Sequence, residues 1–382
     1  MTSKPLLTLL AACIPVLVAA CAAPTDDVST GDQGAAISST AIAVEPYARI
    51  GTGVEGSGLE DINTPDGVVF DKNGSLLLTD ALNKRVQVWD VRDKPRRLGQ
   101  FGSPDVFLGE VVDLAVSPIT GQVIVTDEVS KLAYSYRPPT GKEAGDLKLA
   151  GYTLEKKDLF SSEVVKKVGG ITFDAKGRIY TVDARQNLVR RYDAAGIPDP
   201  TWKFVEKGGA ALLNGCEGIA VDEKRGNLYV SSEFTSSIQV FDLNDGSPKN
   251  RVIGRKSDPL HPEAPTGQSV FSAAVEGLWI LDDYLLASDE ADGGTGHVMI
   301  FDLREESVFD HDATDYAALR AAKKRSGFVG SFGDFCSPDS VAAFTDTDGK
   351  SYVAVADQCH FQVAMYKWSE ILAAGGFARP RP

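Results

Sequence analysis

Acid-plus-small pairs recur along this 382-residue chain, each directly before a short hydrophobic run. They are Asp66-Gly67, Asp113-Leu114, Gly169-Gly170, Glu217-Gly218, Glu276-Gly277 and Asp339-Ser340, at intervals of 47, 56, 48, 59 and 63 residues. Only the third pair lacks an acid. Five carboxylates brought to one place repel one another, so they must hold protons, accept hydrogen bonds or bind cations. All-oxygen donors at that density suit Ca²⁺. The competing role is structural, with each acid capping N–H groups of its own unit. Asn and Asp do that with shorter side chains than Glu, so the glutamates favour the cation.

The elements after each pair must do the gathering. A first run (VVFD, LAVS, ITFD, IAVD, LWIL, VAAF) is followed by a turn, then a second run (LLLTD, VIVTD, IYTVD, LYVSS, LLASD, YVAVAD) and a third. The runs are short, and Gly and Asp in the turns supply positive φ or local hydrogen bonds. One such unit cannot cover both faces of its sheet, whereas six stacked about an axis can. The expected fold is all-β, a six-bladed β-propeller of four-stranded antiparallel blades spanning 42–375, with a tail at 376–382. A two-layer sandwich does not require one phrase six times. The last unit places AMYKWSEIL (364–372) as its third strand, so its fourth is expected from IAVEPYARI (42–50). The first strand of each blade starts at one end of the axial channel and the second returns there. The acids should therefore ring the channel mouth, rimmed by loops 81–85, 128–131, 184–187, 233–237 and 290–297. Asp71, Asp174 and Asp222, beside turns, are read as structural. Trp89, Tyr192, Phe241, Phe301 and Tyr366, in third strands, are read as packing between blades.

Apolar residues make up 43% of the chain, enough for a core, and the net charge of −14 argues against a nucleic-acid partner. Lys4, an apolar stretch and Val18-Ala19-Ala20-Cys21 form a signal peptide over 1–20 that resembles the bacterial lipoprotein type, with Cys21 lipidated. An ordinary secretory peptide is the alternative. Residues 21–41 read as a flexible tether. Ala22, rather than Asp, implies by analogy an outer-membrane or cell-surface location, with the membrane met only through the lipid. Cys336 and Cys359 are expected to form a disulfide on the mouth face, with Cys216 unpaired or competing for one of them. No HExxH, P-loop or GxSxG motif is present.

The repeats resemble NHL-type propeller repeats, best in PDGVVFDKNGSLLLTDALNKRVQVWD (65–90). Residues 210–372 resemble the bacterial β-propeller phytases. In that family an EGxxxD stretch leads into an LYIAEE-like strand, matched here by Cys216 to Asp222 and Leu228 to Glu233. Its next blade runs from EGL to LLASS, matched by Glu276-Gly277-Leu278 and Leu285 to Asp289. Its last blade ends in FKxVPWERI, matched by Phe361 to Ile371. The family's DTDG is here Ser337-Pro338-Asp339-Ser340, which loses one acid and one glycine.

In those phytases, acids at the blade starts hold a cluster of calcium ions that bind substrate phosphates and polarise the attacking water. The resemblance implies Glu217, Glu276 and Asp339 as calcium ligands and catalytic residues, Asp66 as a fourth ligand and Asp113 as a weaker one. Family enzymes also grip phosphate with cations, for which predicted loop position offers Lys84, Arg85, Lys131 and Arg185. Calcium-dependent phosphomonoester hydrolysis outside the cytoplasm, on a small phosphorylated substrate, is the leading expectation. A non-catalytic propeller binding a protein or glycan is the alternative. A metal-dependent lactonase or esterase, with Asn187 or Asn214 beside the acids, is the third.

Overall fold

The computed structural model describes residues 41–139, 151–161, 165–205, 208–253, 271, 274–290, 295–304 and 328–376. The signal peptide, Cys21 and the tether up to residue 40 lie outside the described residues, as does the tail from 377.

Six sheets form the blades of a β-propeller. Their innermost strands are Pro65–Phe70, Val111–Val116, Val168–Phe173, Ile219–Asp222, Ala274–Leu281 and Pro338–Thr345. Each pairs antiparallel with the second strand of its blade, and that strand with the third. Second strands are continuous hydrophobic runs because a neighbouring blade covers each face. Leu76, Leu77 and Leu78 in blade one are all fully buried. The cores lie between blades: Val69, Leu77 and Val88 of blade one pack with Leu114, Val125 and Tyr134 of blade two.

Three side-chain rules repeat and fix where strand one begins. The turn acids close the hairpins, as Asp71 accepts from the N–H groups of Asn73 and Ser75, and Asp174 from those of Lys176 and Arg178. A hydroxyl near the end of strand two (Thr79, Thr126, Ser231, Ser288) accepts from the backbone N–H of Gly67, Asp113, Gly218 or Gly277. The last residue of strand two (Asp80, Asp127, Asp183, Ser232, Asp357) accepts from a backbone N–H three or four residues before the ring position: Asn63, Gly109, Lys166, Asn214 or Cys336. These polar groups are buried and satisfied. They pin the loop that presents each ring acid.

The ring closes as expected, with a refinement. Ala48–Ile50 pairs antiparallel with Gln362–Lys367 as the fourth strand of blade six. Just before it, Ala41–Ile42 runs parallel to Phe328–Phe335 and adds a fifth strand to blade five. Ala41, assigned to the tether, is thus in a strand. Blade three has three strands among the described residues, its edge met by a single bridge between Tyr192 and Pro198. The expected strand 364–372 is corrected: it ends at Lys367, and Trp368–Gly375 is a helix. Trp368, Ile371 and Leu372, at i, i+3 and i+4, turn one helix face into the core, a period that the preceding alternation hides.

Candidate functional site at the mouth of the axial channel

The glycines of the repeated pairs let the ring form. Around the axis, strand one of one blade lies against strand one of the next, closer than a side chain allows. A Cβ on Gly218 would stand 2.0 Å from the carbonyl oxygen of Glu276, and one on Gly170 2.2 Å from that of Glu217. The Gly170 N–H donates to this Glu217 oxygen at 2.8 Å. Glycine at these places is a requirement of close approach.

The acids beside those glycines converge. Asp66, Asp113, Glu217, Glu276 and Asp339 line one cavity of about 470 Å³ at the axis. The same wall holds Glu128, Glu233 and Glu290, which lie just after, or at the last position of, strand two in blades two, four and five. Their loops were expected at the rim, but these three glutamates were not singled out. Superposing the repeats exposes them: the positions after Asp80, Asp127, Asp183, Ser232, Asp289 and Asp357 are Ala, Glu, Ala, Glu, Glu and Gln. Trp279, also absent from the sequence reading, lines the cavity and packs against core clusters of blades five and six, six and one, and one and two. Contacts with blades that far apart place its indole across the channel.

Burial is the main cause of raised pKa values here. It pushes Glu217 up to about 7, against the opposing pull of Lys167, with Glu128 and Glu233 adding to the rise. It pushes Asp113 up to about 6, although Asp113 accepts from the N–H groups of Leu114 and Ile171. Both Asp113 oxygens are thus committed to backbone, which gives this residue the capping role. Glu276 is held well above the carboxylate range by burial and then by Glu217, Glu233, Glu290 and Asp66. Asp339 is raised by burial, Asp66, Glu276 and Glu290, and its Oδ2 is buried with no hydrogen-bond partner. Asp66 is raised by burial and by Asp113, Glu110, Glu128 and Glu217. In neutral solution such a cluster takes up protons or cations.

Lys167 is the one cationic side chain among the described residues lining the cavity. Its Nζ lies 3.1 Å from Glu217 Oε1 and 3.2 Å from Glu128 Oε1. Burial alone would lower its pKa, but the two carboxylates outweigh that and hold it above the usual value. Blade three, which lacks a ring acid, thus supplies the countercharge instead.

The four cations expected to grip phosphate do not line this cavity. Arg85 is buried and bound to Asp80, with its guanidinium also donating to the carbonyls of Gly58 and Asp61. Its position at the start of strand three turns it into the blade wall. Lys84 donates to the Leu108 carbonyl. Arg185 is exposed and Lys131 half-buried on loops outside the cavity lining. Asn187 and Asn214 are likewise outside it: Asn187 Oδ1 accepts from the Gly215 N–H, and Asn214 is exposed. Cys336 and Cys359 are disulfide-bonded, with Cα atoms 5.7 Å apart, joining the loop before Asp339 to the loop after strand two. Cys216 is free and buried, its Sγ 3.5 Å from the Asp183 carbonyl oxygen, and burial raises its pKa. It is an inert core thiol.

All donor groups of the acids at the mouth are hard oxygens, and Asp339, one of the lining acids, keeps a buried carboxylate oxygen without a hydrogen-bond partner, which fits a divalent cation such as Ca²⁺. Among the described residues, no three His, Cys, Asp or Glu side chains already stand arranged around one metal position.

No family model and no curated protein matches the sequence. Solved structures do. A structural genomics protein of unknown function from Bacteroides thetaiotaomicron is similar with a TM-score of 0.57 at 16% identity, over 84% of this chain and 76% of that one. A PQQ-bound aldose sugar dehydrogenase from Streptomyces coelicolor gives 0.50 at 14% identity, over 84% and 98%. At these identities the likeness is one of fold alone, a six-bladed β-propeller, and that fold does not by itself fix a function.

Proposed function

We propose that the protein works through a divalent cation, Ca²⁺, taken up at the mouth of the axial channel, and that it is a calcium-dependent phosphomonoester hydrolase of β-propeller phytase type. The observation that carries the cation reading is the convergence, among the described residues, of eight carboxylates on one mouth with a single lysine, and with Asp339 Oδ2 buried and unpartnered. Glu276, Asp339, Asp66 and Glu290 are the ligands this reading favours, because they form the part of the mouth farthest from lysine neutralisation. The carboxylates would draw inward on the ion. A bound calcium supplies the positive field that an anionic substrate needs at an otherwise repellent mouth. Phosphate hydrolysis itself rests on the resemblance of residues 210–372.

A second reading, a non-catalytic binding propeller, is favoured by one observation: Lys84, Arg85, Lys131 and Arg185 lie outside the cavity lining. Calorimetric titration with Ca²⁺ separates the two when combined with turnover of p-nitrophenyl phosphate, phytate and a lactone, with and without Ca²⁺. The hydrolase reading expects calcium binding and phosphate release, both lost in Glu276→Gln. Calcium binding without turnover supports the binding module, lactone opening alone supports a lactonase, and no binding overturns the cation reading.

A further inference from the structure

Blade three departs from the other five at the ring, and its two departures fit each other. Its ring position is Gly169, and a Cβ there would stand 2.8 Å from Glu217 Oε2. The missing side chain lets the Glu217 carboxylate lean across blade three. It meets Lys167, two residues before that glycine. Lys167 also meets Glu128 from blade two, so one ammonium joins carboxylates from the blades on either side of its own. Its backbone is held, because its N–H donates to Asp183 Oδ1 and its carbonyl accepts from Ala184 N–H. The ammonium is therefore delivered to the mouth from a fixed base rather than from a free loop.

We infer that Lys167 stands in for a metal ion between Glu128 and Glu217, so that the mouth takes up one divalent cation, on the Glu276–Asp339 side, in place of a cluster. This rests on the proposed cation reading. A bridging metal and a bridging ammonium need the same carboxylate oxygens, and two positive charges a few ångströms apart in a half-buried site exclude each other. Among the described residues, no cation lines the cavity on the opposite side, and the charged groups that raise Asp339 are the acids Asp66, Glu276, Glu290 and Asp357. A lysine head is also permanent, so this half of the ring is neutralised whatever the calcium level.

The stoichiometry of Ca²⁺ binding to the mature chain, measured by calorimetry, tests the inference in wild type, Lys167→Met, Lys167→Gln and Lys167→Arg, each checked for an unchanged circular dichroism spectrum. One ion on wild type and Lys167→Arg, and two on Lys167→Met and Lys167→Gln, is the expected result. Lys167→Gln provides a second neutral replacement should Lys167→Met misfold. Two or more ions on wild type, or one ion of unchanged affinity on both neutral variants, overturns the inference and leaves the cation reading standing. No ion on wild type overturns the cation reading. In that case uptake of an ion by the neutral variants alone still supports Lys167 as the resident cation, and no uptake by any of them overturns both.

Discussion

Replacing Glu217 with glutamine should stabilise the cation-free protein at pH 8 and leave it unchanged at pH 4. Glu217 has a folded-state pKa of about 7 against an ordinary 4.5. The folded state therefore holds its proton more tightly than the unfolded chain. The stability contributed by that proton is fully present below about pH 4.5 and is lost as pH rises through about 7. A rise from 4.5 to about 7 corresponds to about 3 kcal/mol once both states are ionised. Asp113, raised from 3.8 to about 6, adds a loss of similar size at slightly lower pH. With a urea m-value of about 3 kcal/mol/M, each group lowers the midpoint by roughly 1 M. Urea unfolding in chelator, from pH 4 to pH 8, should show the wild-type midpoint falling across pH 5–7. Glu217→Gln should fall less, because its side chain carries no proton to lose and Lys167 keeps Glu128 as a partner. Saturating Ca²⁺ should restore wild type at pH 8, by binding the ionised carboxylates of the folded state. A wild-type midpoint that is flat or rises over pH 5–8, or a Glu217→Gln protein weaker than wild type at pH 8, would refute this reasoning.

Three further perturbations follow from particular contacts. Replacing both Cys336 and Cys359 with serine opens a loop of 23-residue separation. It should cost about 3 kcal/mol in urea unfolding under oxidising conditions, with no such loss between the two proteins in reductant. Gly218→Ala forces a Cβ to within 2.0 Å of the Glu276 carbonyl oxygen. Blades four and five must separate there, so a loss of about 2–3 kcal/mol and weaker Ca²⁺ binding are expected by denaturation and calorimetry. Asp339→Asn keeps the shape of the one ring acid with an orphaned buried oxygen. It should weaken Ca²⁺ binding at least tenfold by calorimetry while raising cation-free stability at pH 8.

Much of the fold is legible before any coordinates. The period of acid, glycine and hydrophobic run comes from the close packing of innermost strands. The Asp-containing turns come from local hydrogen bonds, and closure by residues 42–50 follows from a last blade that lacks a strand of its own. The terminal helix is less legible, because Trp368 extends the alternation of the strand before it. Among the site residues, Asp66, Glu217, Glu276 and Asp339 could be placed at the mouth because one backbone rule puts every ring position there. Glu128, Glu233 and Glu290 obey a second backbone rule that could have been read from the same repeats.

The sequence by itself determined the blades, their order and the ring of acids, since these depend on local periodicity and on residue types at repeated positions. Only the tertiary structure decided how the charges divide. Arg85 opens a third strand and Lys167 directly precedes a first strand, yet one is locked into a blade wall by Asp80 and the other bridges two blades through Glu128 and Glu217. The physical reason is that an ion pair is set by which flexible side chains meet across blades, 39 and 50 residues apart in the chain for Lys167. No local pattern encodes that meeting. The same holds for Asp113, whose carboxylate is spent on the Ile171 N–H of the next blade, and for Trp279, whose place across the channel exists only when blades five, six, one and two pack around it.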